Sequence, residues 1–260
     1  MNSLFIIPLI SLFNFFGSQD NDAILTDLQS SNHPWTNQNA IDSSEYYHFI
    51  NASSLKHLPL VIKDLNAALN KSKFKDGDFL NGLGFVIYLF DVDCKSFKTS
   101  AAVQKISDTI YHVKLNRYNS RATDKALAVT LIHETMHCVL LDLYTRARLG
   151  DNKAAASILN FGLPRNDTSN LYNNDFFVLM NSGEPGQHEL IHQLFYPQMV
   201  AVLKDFESIH YRAFSDHYKA EYLMWSGLQF TNGFKKLRDE EKEDIELTIR
   251  RAKGIATDPD

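Results

Sequence analysis

The sequence predicts an α+β protein, in which a small sheet and a buried helix precede a mostly helical C-terminal part. A continuous apolar run over residues 84–92 is typical of a buried strand. An alternating segment over 109–118 is typical of a half-buried strand at the edge of a sheet. Residues 123–148 are apolar almost all round, which predicts a buried helix.

The other elements follow from local spacing and from helix-breaking residues. Apolar residues recur at helical spacing in 53–71, and a short helix is expected over 152–160. Glycine and proline residues punctuate 161–186, which predicts a long, loop-rich connection. Pro197 is expected to kink or break its helix, because proline removes a backbone hydrogen bond. Further helices are predicted over 187–209, 215–230 and 239–253.

Composition narrows the class of function. The chain has 260 residues, of which 44% are hydrophobic, so it can bury a sizeable core. The net charge is −5 and no basic block occurs, so nucleic acid is not expected as a partner. The chain has only two cysteines, Cys94 and Cys138, which excludes a disulfide scaffold and a four-cysteine zinc ribbon.

The composition of the N-terminal part of the chain predicts three successive regions. Residues 4–16 form an apolar run that is too short for a stable membrane span, since a spanning helix needs roughly 20 residues. The run suits the apolar part of an atypical signal peptide over 1–17; the alternatives are a buried N-terminal element or a chain start that is really mid-protein. Residues 18–50 have the polar composition of a linker-like lead-in, and 51–255 form the main domain. Export is therefore expected if the signal is used, and a cytoplasmic location otherwise.

The predicted helix over 123–148 contains the pattern His-Glu-x-x-His at His133, Glu134 and His137. Residues four apart share one face of a helix, so the two imidazoles can bind the same ion. Glu134 lies one residue round the helix, where it can accept a proton from a metal-activated water. Three such polar side chains in an apolar helix are costly to bury unless they are paired or bound to metal. The pattern therefore predicts a zinc site with Glu134 as general base.

A second His-Glu-x-x-His, formed by His188, Glu189 and His192, begins where the loop-rich connection ends. Catalytic zinc usually has three protein ligands and one open position, so a third ligand is required. His188, in the first turn of the predicted helix, is expected to supply it. Glu189 either orients a ligand histidine or is the third ligand itself. His192 is a core histidine, an orienting group or part of a second metal site.

These motifs resemble those of zincin metallopeptidases, and more closely those of a group of bacterial metallopeptidases with SprT-like character. The likeness rests on the buried motif at 133–137 and on Gln-His-Glu at 187–189. It continues in the sequence YLMWSGL at 222–228 and in Thr231, and it covers roughly 84–237. The resemblance implies a zincin-like α+β core.

The resemblance also implies a site. It makes Glu134 the water-activating residue and places zinc ligands at His133, His137 and His188. The leading hypothesis is therefore a zinc-dependent peptidase that acts on a protein or peptide substrate. Two alternatives remain, a non-catalytic binding module stabilised by zinc and a two-metal hydrolase that uses both motifs. The oligomeric state stays open.

Overall fold

The computed structural model of the protein describes residues 47–51, 58–71, 85–92, 101–107, 110–116, 122–163, 174–211 and 219–254. The chain divides into two units, 1–43 and 44–260, and the described residues all belong to the second. The predicted signal segment over 1–17 and most of the lead-in over 18–50 therefore lie outside the described residues.

Four strands precede the central helix: β1 Tyr47–Asn51, β2 Phe85–Val92, β3 Ala101–Lys105 and β4 Ile110–Asn116. Their backbones pair in the order β1-β2-β4-β3, with β1 and β4 parallel to β2 and with β3 antiparallel to β4. Strands β2 and β4 occupy the two segments predicted as strands. The prediction that 109–118 forms an edge is wrong, because β3 pairs along the other side of β4.

Eight helices are described: α1 Leu58–Lys71, α2 Asp124–Arg148, α3 Asn152–Asn160, α4 Asp175–Asn181, α5 Glu184–His210, α6 Ala220–Leu223, α7 Asn232–Lys235 and α8 Asp239–Ala252. The predictions for 123–148, 152–160, 187–209 and 239–253 are confirmed within a few residues. The connection over 161–186 contains a helix that was not predicted, α4. The predicted helix over 215–230 is wrong, since only the short α6 forms within it.

Helix α2 lies at the centre of the fold. The side chain of Thr123 accepts a hydrogen bond from the backbone N–H of Ala126 at 3.2 Å and so caps the first turn. Every residue from 125 to 140 is buried, and α2 packs against α1, α3, α5 and α8. It is the one helix among the described residues with the length and apolar composition to cross a membrane, but 94% of its apolar window is buried inside the protein. Core helices have the same property.

Helix α5 continues through a proline residue. It extends from Glu184 to His210 with Pro197 inside it, so the expected break does not occur. Pro197 is exposed, so water can satisfy the carbonyl group that loses its backbone donor. Residues before and after it, among them Phe195 and Met199, are fully buried. Packing of the buried face therefore outweighs the local cost of the proline.

The prediction of an α+β class with a zincin-like core is wrong. The part of the chain whose side chains are described is 74% helical, so helices and not the sheet dominate it. Among the residues whose side chains are described, the buried hydrophobic ones lie mostly on helices, with Tyr111, Val113 and Leu115 of β4 beside them. The prediction from the sequence gave too much weight to the strand-like segments. Because α2 and α5 are apolar on several sides, helices cover most of their surface and form the core.

Candidate metal centre

Three imidazoles meet in this helical core, two from α2 and one from α5. The Nε2 atom of His133 lies 3.1 Å from Nε2 of His137 and 3.2 Å from Nε2 of His188. The ligand atoms of the three residues all lie within 4.8 Å of one another, and all three residues are buried. This group, the histidine triad, is therefore close enough to bind one metal ion.

The spacing within the triad suits a cation better than a set of hydrogen bonds. One proton on His133 Nε2 can satisfy a single neighbouring nitrogen, whereas two nitrogens face it. A tetrahedral zinc ion with bonds of about 2.0–2.1 Å holds its nitrogen ligands about 3.4 Å apart. The observed separations of 3.1 and 3.2 Å are close to that value. The residues present therefore fit a three-histidine metal site.

The start of α5 fixes the third member of the triad. Gly183 precedes the helix with φ of 79°, and Pro185 lies in its first turn. At Gly186, a Cβ atom would lie 2.0 Å from the carbonyl oxygen of Leu179, so only glycine allows α4 and α5 to approach so closely. This contact sets the position from which His188 projects towards α2.

Gln187 orients one of the ligands. Its Oε1 atom lies 2.9 Å from Nδ1 of His137. The amide oxygen only accepts hydrogen bonds, so Nδ1 of His137 carries the hydrogen and donates. In neutral imidazole the other nitrogen then has a free lone pair, and that Nε2 atom is the one that faces the triad. Gln187 thus fixes both the tautomer and the direction of His137, as groups around metal ligands often do.

Gly227 packs against another ligand. Its φ is 85°, and a Cβ atom there would lie 2.8 Å from Cε1 of His133. The Nδ1 atom of His133 is buried and has no hydrogen-bond partner among the described residues. Close packing on the glycine backbone, rather than a hydrogen bond of the kind that holds His137, therefore positions the ring of His133.

Burial keeps the triad neutral. Desolvation lowers the pKa of His137 to about 3 and that of His188 to about 4. The pKa of His133 is well below its usual value, first because of burial and then because protonated His137 and His188 would repel its charge. Neutral imidazole is the form that binds metal, so the triad is prepared for an ion at neutral pH.

Glu134 is buried beside this group, with 8% of its surface exposed. Burial is the main reason that the pKa of Glu134 rises to about 8; Glu184 also raises it and Lys253 lowers it. A carboxyl group with a pKa near neutrality can both accept and release a proton, which is the property of a general base. A cation held by the triad would favour its ionised form.

The other two members of the second motif, Glu189 and His192, contact residues outside the triad. The Oε2 atom of Glu189 accepts a hydrogen bond from the backbone N–H of Asn232 at 2.8 Å, and its Oε1 accepts one from Gln193 at 2.9 Å. The ring of His192 stacks on Trp225, with centroids 5.0 Å apart and planes inclined by 24°. Both residues thus hold α5 against the segment that includes α7, and neither belongs to the metal-binding group.

We expect acid to destabilise the wild-type protein more than a His192→Gln variant. Burial lowers the pKa of His192; Glu189 opposes this shift and Lys236 adds to it. In the unfolded chain the side chain is protonated below about pH 6.5, so from that value down to the lower folded-state pKa the unfolded state binds more protons. The stability contributed by neutral His192 is therefore present above about pH 6.5 and is lost as the pH falls below it.

The measurement is urea unfolding of both proteins at about pH 7.5 and about pH 5.5. Protonation of other groups affects both proteins alike, so the difference between their pH dependences isolates His192. An equal loss of unfolding free energy in the two proteins would show that His192 titrates normally in the fold.

Several residues of the site were not assigned a role from the sequence. Gln187 and Gly227 stood in the motifs used for the family resemblance, yet their contacts with His137 and His133 depend on packing between distant segments. Glu184 and Lys253 act on Glu134 through their charges. The one local signal was the Glu-Pro-Gly run before His188, because proline and glycine in a first helical turn indicate a constrained start.

Comparison of this chain with family models, with curated proteins and with solved structures finds no match.

Proposed function

We propose that the protein is a zinc-dependent hydrolase that cleaves peptide bonds in a protein or peptide substrate. The observation that carries this proposal is the convergence of three neutral, buried imidazole nitrogens beside a buried carboxyl group. The resemblance to SprT-like metallopeptidases supports the same roles for these residues. The helical fold removes the α+β core that this resemblance implied, so the proposal depends on the site itself.

The donor set favours zinc among the common metals. Calcium and magnesium prefer oxygen ligands, whereas three imidazoles are a usual set for catalytic zinc. His133, His137 and His188 would hold the ion and leave a fourth position for water or substrate. When bound, zinc supplies a positive charge that polarises a carbonyl group and makes water more acidic.

The protein's own groups would then perform the proton transfers. Glu134 accepts a proton from the attacking water and passes it to the nitrogen of the departing amine. Its burial suits this role, since a carboxylate in a poorly solvated position is a stronger base. Gln187 keeps His137 in one tautomer and correctly turned while charge develops nearby.

Deep burial also favours a second candidate, a binding module in which zinc only holds α2 and α5 together. The three triad residues are between 6% and 9% exposed, as expected for a structural ion in a helical core. In that case the metal contributes to folding directly, and its removal should unfold the domain. Glu134 would then have no chemical role.

The test is the Glu134→Gln variant, assayed for hydrolysis of fluorescein-labelled casein and for zinc content. We expect the variant to keep its zinc and to lose activity by about 10²–10⁴-fold, because glutamine cannot accept the proton. Activity equal to that of the wild type would refute the role of Glu134. Absence of hydrolysis in both proteins, with unfolding on metal removal, would favour the structural candidate.

A further inference from the structure

Glu184, the first residue of α5, lies at the solvent side of the triad. Its Oε1 atom is 3.9 Å from Nε2 of His188, the ring atom that faces the other two histidines. Its side chain is 57% exposed, whereas that of His188 is 11% exposed. Glu184 and His188 are four residues apart and so share one face of the helix. The carboxylate is therefore next to one of the metal-binding atoms, although it lies outside the group of three that are all within 4.8 Å of one another, and it is still in contact with water.

A second observation places the same carboxylate near the general base. The negative charge of Glu184 is among the causes that raise the pKa of Glu134. Glu184 thus lies beside His188 on α5, and its charge affects Glu134 on α2. This is the arrangement expected of a group that faces the open side of the triad.

We propose that Glu184 is a fourth, exchangeable ligand, which occupies the open metal position at rest and leaves it when substrate binds. The inference rests on the proposed zinc function and adds to it how the fourth position is filled. Carboxylate oxygen is a regular zinc ligand, and a half-exposed glutamate can turn away without disturbing the core. The three histidines are buried and cannot move in this way.

The other glutamate beside His188 provides a matched control. Glu189 is next to His188 on the same helix, but its carboxylate binds the backbone N–H of Asn232 and the side chain of Gln193. Glu184→Gln and Glu189→Gln each remove one negative charge near the triad. Only the first removes a carboxylate that faces a triad nitrogen. A general effect of charge should therefore appear in both variants, whereas the loss of a metal ligand should appear in Glu184→Gln alone.

The first measurement is zinc affinity, obtained by competition with a chromogenic chelator. We expect Glu184→Gln to bind zinc about tenfold more weakly than the wild type, a loss at the lower end of that seen for groups supporting a metal site. Glu189→Gln should bind zinc with nearly unchanged affinity. A Glu184→Ala variant should behave like Glu184→Gln, which excludes a new contact from the glutamine amide.

The second measurement is azide binding to the cobalt-substituted proteins, followed by their visible absorption. Without an internal competitor for the fourth position, Glu184→Gln should bind azide more tightly than the wild type and than Glu189→Gln. It should also show a different spectrum before azide is added. Equal zinc affinities and equal azide titrations in the two variants would overturn the proposal.

These outcomes separate the inference from the proposed function. If wild-type protein binds no zinc, or if Glu134→Gln remains active, the proposed function fails. If hydrolysis depends on Glu134 but Glu184→Gln behaves like Glu189→Gln in both measurements, only the role of Glu184 is wrong.

Discussion

Replacing His188 with alanine is expected to abolish stoichiometric zinc binding while leaving the helical fold in place. The residue supplies one of three nitrogens, and its Nε2 atom is 3.2 Å from that of His133. The remaining pair on α2 would hold zinc as a two-ligand site, which is incomplete for this metal. Loss of a group that merely orients a ligand costs about 10–100-fold in affinity, so loss of the ligand itself should cost more than about 100-fold.

The second motif contains its own control for this experiment. His192 lies one helical turn after His188 on α5, but it stacks on Trp225 and is outside the triad. Elemental analysis of the purified proteins should therefore find one zinc per chain in the wild type and in His192→Ala, and none in His188→Ala. Two zinc ions in the wild type, reduced to one in His192→Ala, would instead indicate a second site.

Zinc should also stabilise the wild type in proportion to its occupancy. A ligand at about 100 times its dissociation constant stabilises a folded protein by about 2.7 kcal/mol. A thermal shift on zinc addition is therefore expected for the wild type and for His192→Ala, and not for His188→Ala. An equal shift in all three proteins would mean that zinc binds outside the triad.

The largest expected effect on stability comes from His210, at the other end of α5. Its Nδ1 atom is 2.8 Å from Asp64 in α1, and its Nε2 atom is 3.0 Å from Asp124 in α2. Carboxylate oxygens only accept hydrogen bonds, so a ring nitrogen that carries a hydrogen donates to the carboxylate that it faces. The side chain is 4% exposed and stacks on Phe206, with the centroids 4.8 Å apart.

We expect His210→Ala to lower the free energy of unfolding by about 3–5 kcal/mol, because the substitution removes a buried aromatic ring and leaves two carboxylates without their hydrogen-bond partner. The carboxylates of Asp64 and Asp124 would then be left close together without their donor. A His210→Phe variant retains the stacking on Phe206 and should be destabilised as well. Urea unfolding measures the loss.

A second substitution, Asp64→Asn, identifies why His210→Ala destabilises the protein. In an Asp64→Asn background, one of the two facing carboxylates is already neutral, so His210→Ala should be less damaging there than in the wild type. If the two substitutions are additive, the contribution of His210 comes from packing and not from its contacts with the carboxylates.

The sequence predicted the central helix and two histidines of the triad from local properties of the chain, and it predicted the third, His188, from its place in the first turn of a later helix. The four-residue spacing of His133 and His137 places them on one face of any α-helix. Thr123 marks the start of α2, and the apolar residues on all sides of it predict its burial. Helical periodicity also predicted α3 and α8 within a residue or two.

The fold class and the functions of the second motif could not be obtained in this way. His188, Glu189 and His192 form a pattern identical to the first, yet only His188 reaches the triad. The contact of Gly186 with α4 positions His188. Glu189 instead binds the backbone of Asn232, and His192 stacks on Trp225. These partners lie on other segments of the chain, so residue spacing within α5 cannot reveal them.

The sequence by itself thus determined which residues can bind metal: two histidines on one buried helical face, with a glutamate beside them. The tertiary structure decided which further groups join them, namely His188 as the third nitrogen, Gln187 against His137 and Glu184 at the solvent side. Helical spacing acts over four residues, whereas Gln187 and His137 are 50 residues apart. Contacts over such separations are set by the way in which α2 and α5 bury their apolar faces against each other.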